Sequence, residues 1–223
     1  MIVVLVDPLY GGNVGLVARV AANFCIQELR IVNGCDPGDE ARIRAKHGRP
    51  ILDRAKRYGD LQSAIDDLDI TIATTGILAK KEKDWTRNSL SPKEVKERIG
   101  AYSGKIGLLF GRENYGLYNA ELELADMVMH IPTCDEYPVL NLSHAVAIAL
   151  FSLSDISAKG AKIPASRMEK ELLREEISRA LTDTEYPPHR RRKTCLMIYR
   201  IMGRAGISEE ECRVLMGVLK RMG

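Results

Sequence analysis

The chain has 223 residues, of which 45% are hydrophobic and 28% are charged, and its formal net charge is +3. This balance is typical of globular proteins and excludes a chain that is mostly disordered. The length suits one ordinary domain with an appendage, or two small domains. The sequence contains no apolar run long enough for a membrane helix and no signal peptide, so we expect a soluble cytoplasmic protein.

The first 155 residues alternate between short apolar runs and helix-like runs. Continuous apolar runs predict strands covered on both faces, at residues 2–6, 29–32, 69–74, 106–110 and 127–131. Helical spacing predicts a first helix with Asn13 as its N-cap, followed by helices at residues 61–68, 92–99, 119–125 and 142–156. This alternation predicts an α/β fold with a mostly parallel sheet.

The last third of the chain differs in composition. Residues 157–166 read as a linker, and helices are predicted at 167–181, 190–205 and 208–221. From residue 156 onward there are 15 basic and 9 acidic residues, whereas the remainder of the chain has a net charge of −3. We therefore predict a domain over residues 1–156, a linker at 157–166 and a basic helical extension over 167–223, which hints at a polyanionic partner.

Four polar motifs begin at or near the ends of predicted strands, where ligands bind in open α/β sheets. The first is N-x-G-x-x-x-R from Asn13 to Arg19, and the second is F-G-R-E-N-x-G-L at residues 110–117. The third is I-P…L-N-L-S at residues 131–143, and the fourth is Thr-Thr-Gly at residues 74–76. None of them is a dinucleotide fingerprint or a Walker loop. A dehydrogenase and a nucleotide hydrolase are therefore disfavoured.

Together and in this order, the motifs resemble those of the SpoU-type branch of the SPOUT RNA methyltransferases, over nearly all of residues 1–155. The closer resemblance is to the TrmJ-like enzymes, which methylate ribose 2′-oxygens at position 32 of the tRNA anticodon loop. Their helical extension resembles the tail here, including R-R-R-K-T-C-L-M-I-Y-R. The resemblance implies a deep trefoil knot, a homodimer, a tRNA substrate and S-adenosylmethionine as cofactor. Knots are otherwise nearly absent from protein folds.

The resemblance also implies which residues form the site. Those expected to hold the cofactor are Thr75, Gly76, Ile77, Gly111, Ile131, Val139, Leu140 and Asn141. Those expected to act in catalysis are Arg19, Asn13, Glu113, Asn141 and Ser143. One departure concerns Val139, where family members often have serine, so a hydroxyl contact to the cofactor would be missing. Main-chain contacts would survive this change.

The expected reaction transfers a methyl group from a sulfonium to a ribose oxygen and needs no metal. The resemblance makes Arg19 the base, but a guanidinium is protonated at neutral pH. We therefore expect Arg19 to bind the target phosphate and to stabilise the emerging alkoxide. The base is then a phosphate oxygen or, transiently, Arg19 itself. Asn13 would orient Arg19 or the ribose, Glu113 would fix a neighbouring donor or the arginine, and Asn141 and Ser143 would hold the catalytic loop.

Basic side chains are the candidates for RNA binding, because phosphate contacts dominate RNA affinity. They are Arg190, Arg191, Arg192 and Lys193 in the tail, and Arg42, Arg44, Lys46 and Arg49 in the first domain. Solvated charged faces remain the alternative for both groups. The basic stretch at residues 80–85, which contains the only tryptophan, is predicted to be a mobile loop.

Two other functions stay open. Methylation of another tRNA or rRNA nucleotide would use the same residues. A non-catalytic RNA-binding module could keep the fold, although the joint presence of Asn13, Arg19, Glu113 and Asn141 speaks against it. Five cysteines, an odd number without a C-x-x-C pair, argue against a disulfide framework and against a compact zinc site.

Overall fold

The computed structural model describes residues 1–79, 85–100, 103–154 and 163–222. Most of the predicted linker at 157–166 and of the predicted mobile loop at 80–85 lies outside these residues. Within the described part of the chain, no helix is long and apolar enough to cross a membrane.

Six parallel strands form one sheet in the order β3-β2-β1-β5-β4-β6. They are β1 (Ile2–Val6), β2 (Leu29–Val32), β3 (Lys56–Tyr58), β4 (Ile70–Thr75), β5 (Ile106–Phe110) and β6 (Met127–His130). In the register of the central strands, Val3 lies opposite Leu29 on one side and opposite Leu108 on the other. Both faces of β1 and β5 are buried, as the continuous apolar runs predict. The predicted parallel α/β sheet is confirmed.

Ten α-helices are described. They are α1 (Gly11–Asn23), α2 (Gly38–Ala45), α3 (Arg49–Asp53), α4 (Leu61–Ile65), α5 (Pro92–Ile99), α6 (Asn119–Leu122), α7 (Leu142–Ser152), α8 (Arg167–Asp183), α9 (Pro188–Ala205) and α10 (Glu209–Met222). Helices α4, α6 and α7 end earlier than predicted. At the first two ends, arginines bind carbonyls of the last turn: Arg30 donates to the carbonyl of Ala64 in α4, and Arg200 donates to the carbonyl of Leu122 in α6.

Four elements were not predicted, namely α2, a short 3₁₀ helix at Lys46–Gly48, α3 and β3. The sequence of α2, G-D-E-A-R-I-R-A, is too polar to give a clear apolar stripe. Strand β3 is a three-residue edge strand with mostly exposed side chains, K-R-Y, and it joins the sheet through backbone pairing with β2. Edge strands that are this short and charged carry little hydrophobic signal.

The predicted N-cap at Asn13 is wrong. Helix α1 begins at Gly11, with Tyr10 at the N-cap position, and Asn13 lies inside the first turn. A Cβ atom on Gly11 would lie 2.3 Å from the carbonyl oxygen of Pro37, so only glycine allows α1 to start this close to α2. This early start frees the Asn13 side chain from capping.

The C-terminal extension forms three helices, as predicted, and they share a small apolar core that includes Leu173, Ile177, Tyr199 and Met202. The extension also packs on the part of the chain that carries the six strands and helices α1 to α7, which we call the sheet domain. A Cβ atom on Gly203 of α9 would lie 2.1 Å from the carbonyl oxygen of Asp126, which precedes β6. Helix α9 and the residues before β6 are therefore in direct backbone contact.

Candidate active site

A cavity lies at the carboxyl ends of β4, β5 and β6, which are neighbours in the sheet with β1 beside them. Parallel sheets commonly bind ligands at this edge. Seven of the eight residues expected to hold the cofactor line the cavity: Thr75, Gly76, Ile77, Gly111, Ile131, Val139 and Leu140. The eighth, Asn141, lies next in the chain but outside the lining. Ile77 and Val139 are each 51% exposed, so they offer apolar surface that a ligand would cover.

At the edge of the cavity, which Glu113 also lines, a chain of hydrogen bonds joins three motifs that are far apart in sequence. The Nδ2 atom of Asn13 donates to Oε1 of Glu113 at 2.8 Å, and the Nδ2 atom of Asn141 donates to Oδ1 of Asn13 at 3.2 Å. The backbone N–H of Leu9 donates to the other Glu113 carboxylate oxygen at 2.9 Å. We call Glu113, Asn13, Asn141 and Ser143 the polar hub. Glu113 accepts hydrogen bonds from two neighbouring donors, and its role in catalysis stays a prediction.

The orientation of Asn141 follows from helix capping. Its side-chain oxygen accepts from the backbone N–H of Ser143 at 2.9 Å and from Ser143 Oγ at 2.8 Å, at the start of α7. A carboxamide that caps through its oxygen has its NH₂ group free to point elsewhere. In Asn141 that group binds Asn13. The cap and the link across the site are therefore properties of one side chain.

Arg112 lines the cavity but was not among the predicted site residues. Its guanidinium binds Asp7 at the end of β1 and both carboxylate oxygens of Glu121, and it stacks 4.0 Å from the ring centre of Tyr118. Hydrogen bonding to Glu121 raises the pKa of Arg112. Asp7 and Arg112 each follow a strand, and β1 and β5 are adjacent, so this pair was detectable once the strand order was known.

Arg87 is a second cavity residue that the sequence did not reveal. Its Nη1 atom donates to the hydroxyl of Thr75 at 2.9 Å, and that hydroxyl also accepts from the backbone N–H of Ile77. Arg87 thereby holds the turn after β4 in shape. It lies in a segment without helical or strand periodicity, so no sequence signal marked it.

Arg19 does not line the cavity of its own chain. Its side chain is exposed and makes no hydrogen bond or ion pair with any described residue. The backbone at this point is tightly packed, because a Cβ atom on Gly48 would lie 2.7 Å from the Arg19 Cα atom. The structure therefore brings Asn13, Glu113, Asn141 and Ser143 together but leaves Arg19 apart from them. Within one chain Asn13 binds Glu113 and Asn141 rather than Arg19, and the expected roles of Asn13 and Glu113 toward Arg19 or the ribose stay predictions.

The basic residues of the first domain are largely neutralised by carboxylates. Arg42 and Arg49 both lie within ion-pair distance of Asp53, and Arg44 pairs with Glu40 at 2.9 Å. Lys46, the fourth member of this group, makes no ion pair with a described residue. Pairing weakens the positive field that phosphates would meet, so this cluster is the poorer candidate for RNA binding.

The basic residues of α9 are less neutralised. Arg192 pairs with Glu123 of the sheet domain at 2.6 Å, and Arg191 donates to a carbonyl before the helix. Arg190 and Lys193 are exposed and have no carboxylate partner among the described residues. The tail therefore presents unpaired positive charge close to the sheet domain.

These features define a class, namely a parallel α/β protein with a ligand cavity at the carboxyl edge of its sheet and a polar hub beside it. Among the described residues, no group of histidine, cysteine and carboxylate side chains could hold a metal ion. All five cysteines are free thiols.

The sequence matches the SpoU rRNA Methylase family over residues 1–151, and the chain belongs to this family. It is 39% identical over 225 residues to the tRNA (cytidine-2'-O-)-methyltransferase TrmJ of Methanocaldococcus jannaschii, with 98% of this chain and 97% of that protein covered. The crystal structure of TrmJ from Z. mobilis ZM4 superposes with a TM-score of 0.76 at 25% identity, covering 99% of this chain and 98% of that chain.

A more distant structure shares the fold alone. The SpoU methyltransferase AviRb from Streptomyces viridochromogenes, in complex with the cofactor AdoMet, superposes with a TM-score of 0.55 at 20% identity. The superposition covers 69% of this chain and 58% of the AviRb chain. The knot implied by the resemblance stays a prediction, since strand order and pairing do not trace how the chain threads.

Proposed function

We propose that this protein is a cytoplasmic tRNA methyltransferase that transfers a methyl group from S-adenosylmethionine to a ribose 2′-oxygen, at nucleotide 32 of the anticodon loop. The observation that carries the proposal is the polar hub, which joins three motifs beside a cavity at the carboxyl edge of the sheet. The relatives named as tRNA ribose methyltransferases, which match nearly the whole chain, support the choice of substrate.

The cavity residues suit S-adenosylmethionine. Exposed Ile77 and Val139 would cover an adenine ring, and a Cβ atom on Gly76 would meet only the carbonyl of Pro138, at 3.6 Å, so the backbone at Gly76 is open to a ligand. When bound, the cofactor supplies an electrophilic methyl group on a sulfonium. Thr75, Ile131 and Leu140 would complete the cradle, and no metal ion is required for this chemistry.

The polar hub would position the reacting groups rather than exchange protons. Glu113 accepts hydrogen bonds from the loop after β1 and from Asn13, so it fixes the start of α1 relative to the loop after β5. Asn141 ties the same asparagine to the start of α7. Such fixed geometry contributes to rate because misplacement by about 1 Å can lower it by about 10²-fold.

Arg19 would bind the target phosphate and stabilise the developing alkoxide. Because Arg19 does not line the cavity of its own chain, a homodimer is the arrangement that could bring it to a cavity, that of the partner. Helix α7 supports dimer formation, since Phe151 and Ile148 leave apolar surface exposed on it. Mixing Arg19→Ala and Glu113→Gln proteins should then restore activity that neither variant has alone.

Transfer of labelled methyl from S-adenosylmethionine to unmodified tRNA tests the proposed activity. Arg19→Ala should bind the cofactor within a few-fold of the unaltered protein in calorimetry, while turnover falls by about 10². Arg19→Lys should recover little, because it lacks the planar guanidinium. The control is Arg179→Ala, since Arg179 is exposed on α8 and pairs only within its own helix. Full activity of Arg19→Ala would remove Arg19 from the site, and absence of cofactor binding by folded protein would remove the proposed function.

A further inference from the structure

A second cleft, of about 480 Å³, lies between Trp85 and one face of α9. Five side chains of α9 line the cleft. Counted from His189, the others follow after one, four, five and eight residues, and this spacing places all five on one side of the helix. They are His189, Arg190, Lys193, Thr194 and Met197. Trp85 is the only tryptophan of the chain. The cleft therefore combines one large aromatic side chain with a basic helix face.

The charge of this cleft is positive and open to solvent. His189, Arg190 and Lys193 are exposed, and none of them pairs with a carboxylate in the described part of the chain. Arg192 does not line the cleft and binds Glu123 of the sheet domain. Helix α9 thus uses Arg192 and Arg200 for docking on the sheet domain and leaves Arg190 and Lys193 facing the cleft. Unpaired arginine and lysine side chains beside an aromatic ring are what a nucleotide needs for its phosphate and its base.

The cleft is close to the cofactor cavity along the chain. Arg87, only two residues after Trp85, lines that cavity and binds Thr75, so the two Cα atoms are at most about 7 Å apart. Thr86 between them is held on both sides, since its hydroxyl donates to Glu123 and its carbonyl accepts from Arg200. The cleft and the cavity are therefore joined by a short anchored segment.

We propose that this cleft binds one unpaired nucleotide of the RNA substrate, next to the nucleotide that is methylated. The base stacks on the indole of Trp85, and the phosphate is bound by Arg190 and Lys193. This inference rests on the proposed function, which provides the RNA. The nucleotide must be unpaired, because a base can stack on a protein side chain only after it leaves its own helix.

The single tryptophan allows a direct test, since its fluorescence reports on this cleft and on no other place. The full-length protein is titrated with a short oligouridylate and with an abasic ribose-phosphate chain of the same length. We expect saturable quenching by oligouridylate and none by the abasic chain. Quenching should weaken as salt rises, because phosphate contacts release counterions. If the oligouridylate and the abasic oligomer bound equally well and neither quenched the fluorescence, the proposed stacking of a base on Trp85 would be overturned.

Variants separate stacking from charge, with binding followed by anisotropy of a labelled oligouridylate. Trp85→Ala should weaken binding about tenfold, the scale of one stacked base, whereas Trp85→Phe should stay within about threefold. Lys193→Glu, at an exposed position, should also weaken binding, and Lys220→Glu on α10 is the matched control for its change of charge. If Lys193→Glu and Lys220→Glu lowered affinity equally, the cleft would have no special role.

The outcomes for the cleft and for the proposed function are distinguishable. Trp85→Ala should raise KM for tRNA and leave kcat nearly unchanged, because the indole binds RNA outside the reacting groups. Methylation of tRNA by the unaltered protein without any change in tryptophan fluorescence would refute the cleft and keep the proposed function. Quenching by oligouridylate without methyl transfer would keep the cleft as an RNA site and refute the function.

Discussion

The polar hub and the contact between α8 and Asp126 both join distant parts of the chain, but they do so with different chemistry. The hub uses two amides and one carboxylate, Glu113, at half-exposed or exposed positions, together with the buried hydroxyl of Ser143. At the other contact, Lys170 is 5% exposed and donates to Asp126, which is 2% exposed, at 2.8 Å. The second carboxylate oxygen of Asp126 accepts from the backbone N–H and the hydroxyl of Thr71.

The difference indicates a division of roles. A buried ion pair loses much stability when one partner is removed, because the other charge is left without compensation. Here it fixes the C-terminal helices on the sheet, together with Arg200, whose pKa burial lowers to about 10. Half-exposed amide contacts contribute less to stability, so a substitution in the hub can change the geometry of the site with little loss of stability. We expect variants of the docking contact to lose stability first and variants of the hub to lose activity first.

The largest expected effect is at Lys170. Lys170→Met should lower the free energy of unfolding by about 3–5 kcal/mol, because Asp126 would stay buried without its cation. Denaturant unfolding measures this change. Lys220→Met, at an exposed position of α10, is the matched control and should stay within about 0.5 kcal/mol. A loss below about 1 kcal/mol at Lys170 would mean that the two regions do not differ in the way described.

The next effect is at the hub. Glu113→Gln keeps the shape but turns one acceptor oxygen into a donor that faces the N–H groups of Leu9 or Asn13. Methyl transfer should fall by about 10²-fold, and the free energy of unfolding should fall by only about 1 kcal/mol. Glu97→Gln, on the exposed face of α5, serves as the control in both assays. A large loss of stability with normal turnover would reverse the assigned roles.

The response to acid sharpens the same comparison. Burial raises the pKa of Asp126, but Lys170 and Thr71 outweigh it, so the pKa lies below its ordinary 3.8. A carboxylate with a lowered folded pKa stabilises the fold above its unfolded value, and this stability is lost as the pH falls through the folded pKa. The stability gap between the unaltered protein and Asp126→Asn should therefore shrink below about pH 4. A gap that is constant down to pH 2 would contradict the assignment.

The smallest effect concerns the exposed ion pair between the tail and the sheet domain. Arg192 is 79% exposed at its pair with Glu123, so Arg192→Ala should change the free energy of unfolding by less than about 1 kcal/mol. Lys193→Ala should leave stability equally unchanged but weaken tRNA binding more, because Lys193 faces the cleft. Equal losses of tRNA affinity in the two variants would show that α9 contributes only general positive charge.

The sheet could be predicted because its signal is local. Runs such as I-V-V-L-V in β1 are buried on both faces, and their bounds follow within one residue. The polar helix α2 and the charged edge strand β3 could not be predicted, since packing and backbone pairing rather than side-chain pattern hold them. The residue at which α1 begins depends on the packing of Gly11 against Pro37, which is a contact between residues distant in sequence.

The site was predictable where motifs end strands, and less so elsewhere. Asn13, Glu113 and Asn141 were expected together, and the structure links them directly. Arg87 could not be found, because its role depends on a contact with Thr75 across an irregular segment. The Asp126–Lys170 pair was also hidden, since a lysine in a charged helix looks solvated until the helix is placed on the sheet.

Mapping the methylated nucleotide tests the central claim most directly. Unmodified tRNA is incubated with S-adenosylmethionine and either the unaltered protein, Glu113→Gln or Glu97→Gln, and the ribose-methylated positions are read by nuclease digestion and mass spectrometry. We predict one 2′-O-methylated nucleotide, at position 32, with the unaltered protein and with Glu97→Gln, and a yield about 10²-fold lower with Glu113→Gln. Unmethylated tRNA in the presence of folded, cofactor-bound protein would contradict the account, as would equal yields from the two variants.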